Sequence, residues 1–147
     1  MTAWQGIDPA KWAQDQQDNL LRVFQRALVL LGRELIRTRD DGGALPKVTG
    51  NLARSLLAQI GQSVSISSAE SFAGTDVGAV AVQAMLGDEV FFGYQAAYAR
   101  RQNYGFVGAD SLGRVYNQTG ANFVERAINM WPAIVNQAVQ DVKAGAV

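Results

Sequence analysis

Residues 46 to 55 read PKVTGNLARS. A proline and a Thr49-Gly50 step precede the first residues of an apolar periodic run, which is the order expected at a helix start. Thr49 or Asn51 can offer a side-chain oxygen to the first free N–H groups. Leu52, Leu56, Leu57 and Ile60 then follow helical spacing, and Gly61 stands where such a helix would end. The segment is thus expected to place a helix over about 51–60, and its neighbours set the rest of the fold.

Upstream, RDDGGALPK (39–47) holds two Asp, two Gly and a Pro and reads as a loop, a candidate mobile segment. Before it, a long helix is expected from Pro9 to Thr38, with Asp8 as N-cap and Pro9 at the first helical position. Leu20, Phe24, Ala27, Leu28, Leu31 and Leu35 form its apolar face. Arg22, Arg26, Arg33 and Arg37 fall within about 60° of one another on the other side, at ~100° per residue. They read either as a solvated face or as a basic stripe toward a partner subunit or a DNA channel. Residues 1–8 form an N-terminal arm, and Trp4 and Trp12 at this end suit packing on a neighbour.

Downstream, Val64, Ile66 and Ser68 alternate, as do Val80, Val82 and Ala84, with the turn-rich AESFAGTDVG between them. The pattern predicts two antiparallel strands in a long hairpin over 61–86. Asp88 can open a helix carrying Tyr94, Ala97 and Tyr98 and ending near Asn103. Residues 107–122 read as a loop with a short strand at RVY. A final helix spans Ala121 to Lys143, with Phe123, Ala127, Met130, Trp131, Ile134, Ala138 and Val142 on its apolar face. Pro132 should kink or split it, and 144–147 should fray. The expected fold class is α+β, in one domain over 1–147: a long N-terminal helix and C-terminal helices packed on a small antiparallel sheet with a long β-hairpin.

Composition narrows the function. The chain has 147 residues, about half of them apolar, and 13 basic residues balance 13 acidic ones. A neutral chain exerts no general pull on nucleic acid or anionic membrane. Ten of the basic residues are Arg, which suits fixed ion pairs and interfaces. There is no Cys and no His. Thiol and imidazole nucleophiles, disulfides and the usual zinc, copper and haem sites are therefore excluded. No signal-peptide apolar region or membrane-length run is visible, so the expected place of synthesis is the cytoplasm. Asp40-Asp41 and Asp88-Glu89 are adjacent in sequence, so they do not converge on one face as an acid–base pair. The glycines of AGTDVGAV lack phosphate-loop spacing. No catalytic, metal-binding or cofactor-binding residues are assigned, and no enzymatic activity is expected. Arg100-Arg101, with Tyr98 and Tyr104, form the densest basic–aromatic cluster. They serve either the C-terminal end of their helix or a subunit or phosphate contact.

Three segments taken together carry a family resemblance. Thr49-Gly50-Asn51-Leu52-Ala53-Arg54-Ser55 resembles a T-G-x-L-x-x-S signature at a helix start. Tyr98-Ala99 followed by Tyr104-Gly105 is similar to Y-A-x-x-x-E-aromatic-G. Phe123-Val124-x-x-Ala127 is similar to P-F-L-x-x-A. In this order they resemble the small neck or tail-completion proteins of tailed bacteriophages, also described as head–tail joining or putative tail-component proteins. The chain departs from that pattern in having Asn103 for the usual acid, Asn122 for the usual proline, and a longer 106–120 segment.

The resemblance implies a structural virion protein of the neck, a homo-oligomeric ring joining the portal or connector to the tail. Its partners would be itself, portal, connector or stopper proteins, and tail terminator or tail-tube proteins. Genome DNA would pass through the lumen without sequence readout. It implies structural roles for Thr49, Gly50, Leu52, Ser55, Tyr98, Tyr104, Gly105, Phe123 and Ala127. The region 61–86 and the loops 39–48 and 106–120 would supply subunit contacts, and the Arg stripe would face a neighbour or the lumen. A tail terminator capping the tail tube is the structural alternative. A sequence-independent DNA-binding module using Arg22, Arg26, Arg33, Arg37, Arg100 and Arg101 is the alternative of another class.

Overall fold

Asp8 opens the first helix. In the computed structural model, which describes residues 6–145, its carboxylate accepts from the Ala10 N–H at 3.0 Å and Pro9 follows at the first helical position. Helix α1 runs Pro9–Leu35. It stops short of the expected Thr38 because that residue is drawn into a bridge with Leu45. A 3-10 turn over Arg39–Asp41 precedes Leu45, which is fully buried. The 39–47 segment is therefore pinned to the body, where a mobile loop was expected. Leu20, placed on the apolar face by its spacing, is 59% exposed. Every residue from 6 to 20 is exposed, so the first half of α1 projects from the body.

The PKVTGNLARS segment gives only one helical turn, α2, Asn51–Arg54. The predicted helix to residue 60 is replaced by strand β1, Leu56–Ile60. Two features end the helix at Ser55. Its hydroxyl donates back to the Leu52 carbonyl at 2.7 Å, which competes with helix propagation. Its own carbonyl accepts from the Gln95 N–H at 2.9 Å, beside the strand partner of β1. Leu56 and Ala58 are buried while Leu57 is only partly so, a period of two that Leu-Leu-Ala had concealed.

The predicted hairpin over 61–86 does not form. Residues 62–76 cross the body irregularly, with one bridge between Ser67 and Ala96. The Val80 region is helical instead: Asp76 caps α3, Val77–Ala81, by accepting from the Ala79 N–H at 3.4 Å. The partner of β1 is β2, Val90–Tyr94, antiparallel with Leu56 opposite Tyr94 and Ile60 opposite Val90. Asp88 therefore starts no helix; its carboxylate accepts from the Met85 N–H and closes the turn into β2. Gly93 belongs to this strand because Val64 lies over it: a Cβ there would sit 2.6 Å from Val64 Cβ.

Helix α4, Ala99–Tyr104, ends where expected. The segment after it, expected as a loop with a short strand at RVY, is a hairpin, β3 Gly105–Ala109 with β4 Val115–Thr119, the latter holding Val115 and Tyr116 of that strand. Asp110 builds its turn, accepting from the N–H groups of Leu112 and Arg114, from Arg114 Nε at 2.6 Å and from the Tyr116 hydroxyl. Partial desolvation works against that charge, but the Arg114, Leu112 and Tyr116 donors together hold the Asp110 carboxyl below its ordinary range. Pro132 splits the last helix as anticipated, into α5 Phe123–Asn129 and α6 Trp131–Lys143. Trp131, expected in the core, is 37% exposed.

The architecture is α+β, with helices on two small antiparallel sheets. Ala27 of α1 packs on Ile134 and Ala138 of α6. Leu28 meets Ala81 and Ala84, with Phe24, Ile60, Val90 and Phe92 around them, so α1 and α3 cover the β1–β2 sheet. Leu35, Leu56 and Ala127 join the helix, the sheet and α5. Trp4 lies outside the described residues, as do the last two residues of the expected frayed tail.

Candidate interface surfaces and the motif junction

The three sequence motifs, spread from Thr49 to Ala127, meet in space. Leu52, Ala99 and Phe123, one from each motif, share a buried cluster with Leu45 and Ala96. Tyr94 meets the Phe123 ring edge-on at 5.2 Å. Burial pushes the Tyr94 phenol up, so the group stays a donor and bonds the Leu35 carbonyl at the end of α1.

Two buried asparagines tie the motifs together. Asn51 Nδ2 donates to the Tyr98 hydroxyl at 3.1 Å and to the Glu70 carbonyl, while its Oδ1 accepts from the Phe72 N–H at 2.9 Å. It thereby fixes both α4 and the irregular crossing segment. Asn103 Nδ2 donates to both Glu125 oxygens, and its Oδ1 accepts from the Val124 N–H at 3.0 Å. The Asn122 N–H donates to the Asn103 carbonyl at 2.9 Å. Asn122 has φ 52°, a left-handed conformation that proline cannot adopt. Positions 103 and 122 therefore form one local arrangement, in which the Asn103 side chain and the left-handed backbone at Asn122 join α4 to α5.

The other motif residues have structural positions. Thr49 Oγ1 accepts from the Asn51 N–H at 3.3 Å. Gly50 precedes α2 at φ 80°, which favours glycine. Ser55 and Ala127 are fully buried. Gly105, at φ 84°, lets the chain turn from α4 into β3; a Cβ there would lie 2.3 Å from the Gln118 carbonyl oxygen. Tyr104 points outward and is 64% exposed. The sequence reading missed Glu125 as a partner and treated Asn51 only as a cap. Nothing in the local pattern marks either, because both bonds join segments distant in sequence.

The arginine stripe is divided by its contacts. Arg26 Nε bonds Asp141 of α6 at 2.7 Å, with both side chains largely buried. This bond, then one from Gln137, and the fields of Arg26 and Arg33 outweigh partial desolvation and hold the Asp141 carboxyl below its ordinary range. Arg37 pairs with Glu34 at 3.3 Å and donates to the Asp41 carbonyl. Glu34 also receives Arg126. Arg22 and Arg33 are exposed and make no ion pair among the described residues. Arg101 stacks over Phe106 at 4.1 Å, which ties it to the β3–β4 hairpin. Arg100 is exposed. Three of the six arginines, Arg26, Arg37 and Arg101, thus have partners within the subunit.

Among the described residues there is no cluster of three metal-ligating side chains, and no helix is long and apolar enough to cross a membrane. Comparison with family models, curated proteins and solved structures gives no match. The fold and the motif junction stand on the chain's own residues.

Among the described residues, three surfaces with open apolar side chains bear on assembly. One is the exposed first half of α1, with Trp12 and Leu20, and Ile7 just before it. The second is an apolar groove of about 390 Å³ between α1, β1 and α3. The third is the β3–β4 hairpin, whose Val107, Leu112 and Val115 are each at least 75% exposed. A two-stranded hairpin is marginal alone, and open apolar edges invite pairing.

Proposed function

We propose that this chain is a structural subunit of the neck of a tailed-phage virion, forming a homo-oligomeric ring that joins the portal or connector to the tail around the DNA channel. The observation that carries the reading is the convergence of the three resembling motifs on one packed and hydrogen-bonded junction. Here they form the packed centre from which the helical arm, the groove and the hairpin extend.

Those surfaces suit a ring. A closed ring uses heterologous contacts, so each subunit needs two different complementary patches. A neutral chain suits a channel through which DNA must slide, since a dense basic lining would hold phosphates. Arg26, Arg37 and Arg101 are engaged within the subunit, which favours a structural role for them over phosphate capture.

The test is assembly without this protein. Full heads and complete tails that fail to join are expected. Overlong or uncapped tails would instead assign the chain to the tail terminator, and normal virions would overturn the reading.

A further inference from the structure

We propose that the projecting half of α1, Pro9–Leu20, docks in the apolar groove along α1 and α3 of a second copy of this chain. The inference deepens the ring reading by naming its interface, and it rests on that reading only for the ring's place in a virion.

The arm has the features of a ligand helix. It is helical yet exposed at every residue. Trp12, Gln16 and Leu20 continue the same helical stripe that Val23 and Ala27 bury in the body, at ~100° per residue. Large apolar side chains on a lone helix mark a docking face; Trp12 and Leu20 are 53% and 59% exposed. The arm is acidic, with Asp8, Asp15 and Asp18 against Lys11, which is itself bonded to Asp15.

The groove has the complementary chemistry. It is lined by Val29, Ile36, Leu56 and Val77, and Val29 also borders a neighbouring hollow of about 230 Å³ beside Ala81 and Val82. Gly32 opens the floor: a Cβ there would lie 2.9 Å from Val77 Cγ1. Arg22 and Arg33, both without ion pairs among the described residues, stand on the rim with Arg54, against the carboxylate of Asp76. The lengths agree. At ~1.5 Å per residue the arm is about 18 Å long, and the stretch of α1 from Arg22 to Ile36 that borders the two hollows is about 22 Å.

The hollow between Phe24, Leu86 and Trp131 is bordered by the arm's own Leu20 and carries Asp88 and no arginine, so it would repel an acidic helix. The hollow between Leu30, Met130 and Ile134 holds Arg33 and Arg37 but also Glu34, which Arg37 and Arg126 already pair, so it offers an acidic helix less free positive charge. An arm in a groove joins two different patches and so propagates head to tail, as ring closure requires.

The chain has no cysteine, which makes disulfide trapping specific. Full-length Gln16→Cys and Val82→Cys chains, mixed in equal amounts and mildly oxidised, are expected to give the mixed dimer over either homodimer by about tenfold, a bias of about 1.4 kcal/mol. Adding Trp12→Ala and Leu20→Ala to the first chain should reduce it to background. Adding Arg22→Glu and Arg33→Glu to the second should weaken it several-fold. These arm substitutions fall on exposed side chains and should leave the fold intact. Absence of a mixed dimer, or a dominant Gln16→Cys homodimer from arm-to-arm pairing, would overturn the proposal. Either result would leave the neck reading to be judged separately, by where the protein sits in virions.

Discussion

Asn103 at the end of α4 bonds both carboxylate oxygens of Glu125 on α5, at 2.9 and 3.1 Å, while its carbonyl oxygen accepts from the Val124 N–H. With 2% exposure, it is a buried side chain whose three contacts all lie on the third motif segment. Removing it leaves an N–H without its partner and a carboxylate stripped of two donors.

Asn103→Ala should therefore destabilise the protein by about 2–3 kcal/mol. For a chain of this size that corresponds to a melting-temperature drop of about 5–10 °C. Thermal denaturation followed by circular dichroism would read it. A loss under 1 °C would remove Asn103 from the account of the junction.

Asn122 supplies a backbone test of the same junction. Asn122→Gly should be tolerated, because glycine accepts positive φ freely. Asn122→Pro would impose φ near −65° and delete the N–H donated to the Asn103 carbonyl, so a loss of about 3 kcal/mol or more is expected. Comparable denaturation midpoints for the two variants would contradict the left-handed turn.

Gly32 and Val77 should be coupled. Alanine in a helix interior is favoured over glycine by about 1 kcal/mol. Here its Cβ would press on a β-branched side chain that cannot easily turn away. Gly32→Ala is expected to lower stability in the native background and raise it in Val77→Ala. Equal effects in both backgrounds would remove the close contact between α1 and α3.

The Arg26–Asp141 bond sets an acid dependence. A carboxyl held below its unfolded value stabilises the fold above the unfolded pKa, about 3.9, and loses that contribution as pH falls through the folded value. Asp141→Asn should thus be less stable than the native chain at pH 7, with the difference shrinking below about pH 4. A constant gap from pH 7 to pH 3 would show that the charge of Asp141 is not what holds α6 to α1.

The isolated protein should not bind duplex DNA tightly, even at low salt. Electrophoretic mobility shift with a random duplex would check this. Strong binding that weakens steeply with salt would favour the DNA-binding alternative.

The helical framework was legible wherever one local signal sufficed. Asp8-Pro9 fixed the start of α1, and Pro132 the break between α5 and α6. The middle of the chain was not legible, because its structure depends on distant partners. Leu56 and Leu57 fit a helix and a strand equally well, and only pairing with β2 decides between them. Val80 and Val82 alternate as in a strand, yet the Asp76 cap and the contact with Leu28 make that region helical. Gly93 read as a poor helix residue, whereas it is a strand residue lying under Val64. The candidate site divided in the same way. Most motif residues could be marked in advance as structural, but Glu125 and the internal pairing of Arg26 and Arg37 belong to the tertiary fold.

Cryo-electron microscopy of purified virions carrying this chain would test the central claim most directly. The result expected is a closed ring of this protein at the portal–tail junction, surrounding the DNA channel. Virions whose neck density is fully accounted for by other proteins, with this chain absent, would contradict it.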